Sequence, residues 1–143
     1  LDSLQKRVGF LQTVIETLGL TNVSAVRARA EDAARDVQYR ERFDVAAARA
    51  VAALPVLQEL LLPFVRIGGG SVCYKGPAAE EELKTGTAAA KLLGGSPPGA
   101  VAVSMPFLPE YSHMLIVTEK RQPTPRLYPR RAGTPAKNPL GNE

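Results

Sequence analysis

Four positions in this 143-residue sequence place a charged side chain where its charge could do chemistry. Arg49 falls inside the apolar run Val45-Ala46-Ala47-Ala48-Arg49-Ala50-Val51. A guanidinium there is costly to bury unless it meets an anion or several acceptors, so a ligand or substrate contact is expected. Lys75 follows Ser71-Val72-Cys73-Tyr74 and precedes Gly76. It is either a second cation at the same edge or a lysine whose stem lies on apolar surface while its amine reaches water. Asp2 has two candidate roles: an acid at the end of a second strand can accept both hydroxyls of a ribose, and the Asp2-Ser3 pair can also cap the helix behind it. Ala30-Glu31-Asp32 joins a small residue to two acids, which suits an edge-on hydrogen bond to an adenine; the alternative is an exposed acidic turn.

Other chemistries are excluded by what is scarce. One cysteine, Cys73, and one histidine, His113, allow no internal disulfide and no thiolate cluster, so no metal site is expected. Cys73 reads as a small buried hydrophobe because no histidine lies near it in sequence to activate it, and His113, opening an apolar strand, reads as structural. The Gly68–Gly70 run lacks the strand-to-helix context and the Lys-Ser/Thr ending of a phosphate loop; it is expected to be a helix C-cap and turn. Glu80, Glu81 and Glu82 at a helix start are accounted for by the helix dipole and solvation.

The elements that must carry these residues follow from hydrophobic spacing. Leu4, Val8, Leu11 and Leu18 repeat at helical intervals, giving a helix from about Ser3 to Leu18 that stops at Gly19. Asn22 to Val26 is expected as a short strand, and Phe43 to Val51 as a strand covered on both faces. Pro55 opens a helix that Pro63 should kink or end. Ser71 to Gly76 is the next strand, residues 78–93 the next helix, and residues 100–105 and 113–119 the last two strands, joined through residues 106–111. The order predicts an α/β fold with a mostly parallel sheet and helices on both faces, whose ligands sit at the carboxyl ends of the strands.

With 45% hydrophobic and 22% charged residues, the chain has the composition and length of one soluble globular unit. No apolar run approaches the roughly 20 residues that span a bilayer, and no signal segment opens the chain, so a cytoplasmic protein without membrane contact is expected. The net charge of +4 is unevenly spread. Residues 1–119 carry 12 Lys and Arg against 13 Asp and Glu, whereas residues 120–143 carry six cations against Glu143 alone. That proline-rich, basic tail is attracted to polyanions through counterion release, unless it is a merely solvated terminus. Its prolines are expected to keep it extended along phosphates and clear of the core.

The stretches "LDSLQKRVGFL", "RAED", "FDVAAARAVAALPVLQELLLP", "YKG" and above all "YPRRAGTPAKNPL" resemble the bacterial small-subunit ribosomal RNA methyltransferase G family, also called glucose-inhibited division protein B. The resemblance implies a Rossmann-like class I fold and S-adenosylmethionine-dependent methylation of a guanine N7 in 16S ribosomal RNA; a monomer is expected. It implies residues 1–119 as the C-terminal part of the methyltransferase domain and 120–143 as a basic tail. By that resemblance Asp2, Ser3 and Leu4 lie along the ribose and Ala30-Glu31 at the adenine, while Arg49 and Lys75 serve the reacting centre, with Arg49 also on the cofactor. Arg29, Arg126, Tyr128, Arg130, Arg131 and Lys137 are implied to contact RNA. Two departures stand out: Ser112-His113 stands where the family pattern implies an arginine before the last strand, and the family's first strand with its glycine-rich loop is absent from this chain. The isolated 143 residues are therefore expected to bind cofactor poorly and to fold incompletely. The competing readings are a dinucleotide-binding oxidoreductase, which also wants an acid after a second strand, and a non-catalytic RNA-binding module.

Overall fold

The computed structural model describes residues 1–49, 52–103, 107 and 113–141. Its first helix, α1 (Gln5–Thr17), ends where expected, at Gly19, whose φ of 62° is a left-handed conformation that glycine adopts without steric cost. Only Val8 of α1 is buried; Leu4, Phe10 and Leu18 are more than half exposed. A one-turn helix α2 (Ala30–Ala33) follows. The intervening Asn22 to Val26 is not the expected strand. Its neighbourhood pairs through a single parallel bridge, Asp2 with Arg27, closed by Asp2 N–H to the Val26 carbonyl and Ala28 N–H to the Asp2 carbonyl. Two bonds to one residue make a bridge and no ladder.

The sheet holds β1 (Phe43–Arg49), β2 (Val65–Lys75), β3 (Gly99–Val103) and β4 (His113–Glu119), in the spatial order β1-β2-β4-β3. β1 and β2 are parallel, and β4 runs antiparallel to both β2 and β3. Residues 50, 51, 104 and 105 of the expected strands, and most of the connection at 106–111, lie outside the described residues. β2 begins six residues earlier than expected because Gly68–Gly70 belong to it. The register moves from Phe43↔Val65 to Val45↔Gly70, Gly68 turns at φ 84°, and its N–H reaches the Lys120 carbonyl at 2.8 Å. The run is thus a bulge within a strand, where glycine permits the reversal of φ, and not a helix C-cap.

Helix α3 (Leu54–Leu61) opens with Pro55 in its first turn and gives way to a 3-10 turn, Leu62–Phe64, at Pro63, which has no N–H to continue the helix. The helix expected over 78–93 starts with a 3-10 segment, Pro77–Glu82, before α4 (Leu83–Leu92). These helices cover one face of the sheet. Leu54, Leu57, Cys73, Ala79 and Ile116 form the main cluster with Ala48 packed on it, and Gln58 ties α3 to the sheet through Thr118 and Ser71. On the opposite face Val45, Tyr74, Val101 and Val117 are 39–59% exposed. Here the molecule differs from the expectation of helices on both faces and of a doubly covered Phe43–Val51 strand: β1 is an edge strand, and α1 does not close over it.

Residues after β4 return to the core. Lys120 is fully buried, its Nζ donating to the Leu62 carbonyl (2.7 Å), the Val65 carbonyl (3.0 Å) and Glu41 Oε1 (3.0 Å). Arg40 holds four carbonyls at once, with Nη1 on Ala34 (3.2 Å) and Tyr128 (2.8 Å) and Nη2 on Thr124 (2.7 Å) and Pro125 (3.2 Å). A final turn, α5 (Thr134–Lys137), follows Gly133.

Candidate active site

An apolar groove of about 410 Å³ separates the Asp2–Arg27 bridge from the free edge of β1. Leu1, Val26 and Ala30 line one side and Val45 to Ala48 the other, with Leu57, Leu61 and Phe64 also in its wall. Its size lies within the range of small-molecule and cofactor sites.

Of the predicted site residues Ala30 lines this groove, while Asp2, Glu31 and Arg49 are chain neighbours of its lining residues Leu1, Ala30 and Ala48, and Lys75 is not part of it. Asp2 stands beside the stretch that leads into Ala30 and Glu31, because the bridge at Arg27 sets the two segments parallel. Asp2 Oδ1 accepts the Leu4 N–H at 2.8 Å and Oδ2 meets Arg7 at 3.3 Å. These contacts, the backbone N–H first, hold its carboxyl below the usual range. Asp2 thus forms a local turn ahead of the helix without capping it, and each oxygen keeps a lone pair for a further donor. Ser3 and Leu4 are exposed beside it, and no side chain caps α1 by the usual Ser/Thr geometry.

Glu31 is 9% exposed, so the exposed acidic turn offered as its alternative does not form; its Oε1 accepts the Gly133 N–H at 2.9 Å. Arg29, its neighbour, is exposed as the N-cap of α2.

Arg49 and Lys75 end adjacent parallel strands, but Arg49 is in register with Tyr74 on the bare face, so strand alternation puts Lys75, like Cys73, on the helix-covered face. Arg49 is exposed, which corrects the expectation of a buried guanidinium: on an edge strand with a bare outer face, its residue never leaves solvent. Among the described residues it has no hydrogen-bond or ion-pair partner. Lys75 is 13% exposed and engaged, its Nζ 2.9 Å from Glu82 and 3.0 Å from the Ala52 carbonyl. Glu82 in turn accepts the Leu54 N–H at the start of α3. Solvation of an acidic run therefore does not explain Glu82, which fixes the lysine and the helix start together. No hydrogen bond or ion pair joins Asp2 or Glu31 to Arg49 or Lys75 among the described residues.

Cys73 is wholly buried, and that burial pushes its thiol up to about 11, so it is inert as expected. Among the described residues no three metal-ligating side chains cluster, and no helix is long and apolar enough to cross a membrane. Ser112, beside His113, lies outside the described residues.

The tail departs from expectation. It is not held extended and clear of the core: Arg40 collects its carbonyls, Arg35 donates to the Pro129 carbonyl at 2.6 Å, and Tyr128 packs against the cluster of Leu62, Ala90 and Leu93. Arg130, expected on RNA phosphates, is spent on the buried Glu59, with Nη2 to Oε2 at 2.7 Å. The reason is a matched acid on α3 that outcompetes solvent for a planar, bidentate guanidinium. Arg126, Arg131 and Lys137 remain exposed, with no side-chain hydrogen bond or ion pair among the described residues drawing them inward. Sequence reasoning missed Glu59, Arg35, Arg40 and Glu41; the one available signal was an acid at position 59 within the apolar helix pattern Val56-Leu57-Gln58-Glu59-Leu60-Leu61.

Comparison with known proteins settles the family. Residues 1–108 match the family model described as GidB: rRNA small subunit methyltransferase G. The chain belongs to this family. It is 46% identical over 140 residues to the ribosomal RNA small subunit methyltransferase G of Clostridium beijerinckii, covering 98% of this chain and 58% of that protein. It is 49% identical over 139 residues to the Leuconostoc citreum protein of the same name, covering 97% of this chain and 57% of that one. The chain thus spans under two thirds of the length of these relatives. Among solved structures, an rRNA methylase from Streptococcus thermophilus superposes with a TM-score of 0.55 at 16% identity, covering 85% of this chain and 71% of that one. That likeness is one of fold, a mixed α/β sheet with helices.

Proposed function

We propose that this methyltransferase G family member, at full family length, transfers a methyl group from S-adenosylmethionine to N7 of a guanine in 16S ribosomal RNA. The observation that carries the proposal is the apolar groove between the Asp2–Arg27 bridge and the open edge of β1, in a chain of this family. The residues fit the nucleoside half of the cofactor: Val26, Ala30 and Ala46 offer apolar walls for an adenine, Glu31 an acceptor at its edge, and Asp2 an acceptor for ribose hydroxyls. Bound S-adenosylmethionine supplies an electrophilic methyl on sulfur, which the N7 lone pair takes with no proton to remove. The protein therefore has to align and hold, which is catalysis by proximity and orientation.

Arg49, exposed and unpaired among the described residues, is free to meet cofactor or guanine; Lys75, fixed by Glu82 and the Ala52 carbonyl on the helix-covered face, is assigned to the reacting centre by the family resemblance. Residues 1–119 form the methyltransferase portion, and 120–143 are the basic tail docked on it. In this reading RNA phosphates meet Arg29, Arg126, Arg131 and Lys137, whose charges face solvent, and the target purine sits in an open loop or swings out of its stack. The test is transfer of labelled methyl groups by the full-length protein to naked 16S RNA and to 30S particles, with the labelled base identified; absence of transfer to both contradicts the proposal.

A further inference from the structure

Glu59, the one acid of α3, has 0% exposure, and among the described residues its side-chain hydrogen bonds come from one tail residue 71 positions away. Oε1 accepts the Arg130 backbone N–H at 2.7 Å and Nε at 3.0 Å, while Oε2 accepts Nε at 3.1 Å and Nη2 at 2.7 Å. The ion pair raises the affinity of the guanidinium for its proton above the ordinary value. A buried carboxylate held this way is strongly destabilised when its partner is removed, so the pair fixes the path of the chain around residue 130. One residue before it, the Pro129 carbonyl is held by Arg35; three residues after it, the Gly133 N–H reaches Glu31. Gly133 turns at φ 83°, and α5 starts at the next residue.

We propose that Glu59 and Arg130 are positioning residues for the cofactor rim: their ion pair docks residues 129–133 so that the Gly133 N–H pins Glu31 Oε1 and leaves Oε2 oriented for the adenine. The inference rests on the role given to Glu31 above. It removes Arg130 from the RNA contacts and makes the tail part of the donor site. A carboxylate held in place before the ligand arrives loses less freedom on binding, and that difference appears as cofactor affinity.

The test uses the full-length protein and two readouts: S-adenosylhomocysteine affinity by calorimetry and the salt dependence of 16S RNA binding. Arg130→Met and Glu59→Gln are expected to weaken S-adenosylhomocysteine binding about tenfold, the scale of losing support for a ligating group, with the salt slope unchanged. Arg130→Lys keeps the charge but loses the fork, so it shows the same cofactor defect; it carries the test if urea unfolding shows that Arg130→Met does not fold. Arg131→Ala is expected to do the converse, lowering the salt slope by about 1 and leaving cofactor affinity alone. Unchanged cofactor affinity in Arg130→Lys and Glu59→Gln overturns the proposal, and a lowered salt slope in Arg130→Met alongside it returns Arg130 to the RNA. A wild-type protein that binds no S-adenosylhomocysteine overturns the reading of Glu31 beneath it, and the proposal with it.

Discussion

At the scale of single residues, the same side-chain type takes opposite roles according to what faces it. Arg49 ends an edge strand with open solvent before it, while Arg40 and Arg130 are drawn inward by carbonyls and a carboxylate. Substituting Arg49 by alanine in the full-length protein is expected to abolish methylation and leave the unfolding transition in place, as a methyl-transfer assay beside thermal unfolding would show. Arg40→Met removes charge-assisted hydrogen bonds worth roughly 1.5–3 kcal/mol each at most and strands several carbonyls; a loss of about 3 kcal/mol in urea unfolding is expected, with no specific effect on RNA contacts. Lys75 was legible at a strand end because an apolar run stops at Gly76, whereas the apolar run around Arg49 continues to Val51 and residues 50 and 51 lie outside the described residues. Glu59–Arg130 and Arg40 were not legible because their partners lie 71 to 88 positions away and no local pattern encodes such pairing.

At the scale of elements, β1, α1, β4 and the break at Pro63 were legible because periodicity, glycine and proline act locally. The glycine run was misread because a bulge depends on the neighbouring strand: only the shift in pairing with β1 and the bond to Lys120 show why Gly68 must turn. The start of the tail is held by Glu41. Burial pushes this carboxyl up, but the Thr124 N–H at 2.7 Å and Lys120 at 3.0 Å outweigh that and hold it below its ordinary value of 4.5. Folded-state depression means the unfolded chain binds the proton more readily. Glu41 therefore contributes stability that is fully present above pH 4.5 and is lost as pH falls through the lowered folded value. Urea midpoints measured across pH 3 to 6 are expected to fall on acidification, and Glu41→Gln should flatten the fall while lowering stability at neutral pH; an unchanged slope would remove Glu41 from the account.

At the scale of the molecule, one sheet face is packed and the other bare. Val45, Tyr74, Val101 and Val117 face outward, the β1 edge is open to the groove, and α1 leaves Phe10 and Leu18 exposed. Relatives are longer than this chain, which spans 58% of the Clostridium beijerinckii protein. The basic excess of residues 120–143 was legible as charge, but its division into docked and solvent-facing cations was set by acids and carbonyls elsewhere in the fold.

The most direct measurement is methyl transfer itself. Full-length protein, labelled S-adenosylmethionine and either naked 16S RNA or 30S particles should place label on N7 of a guanine, and the Arg49→Ala protein, equally folded, should place none. Label on no guanine of either substrate, or undiminished label with Arg49→Ala, would contradict the assignment of this groove and its rim to methyl transfer.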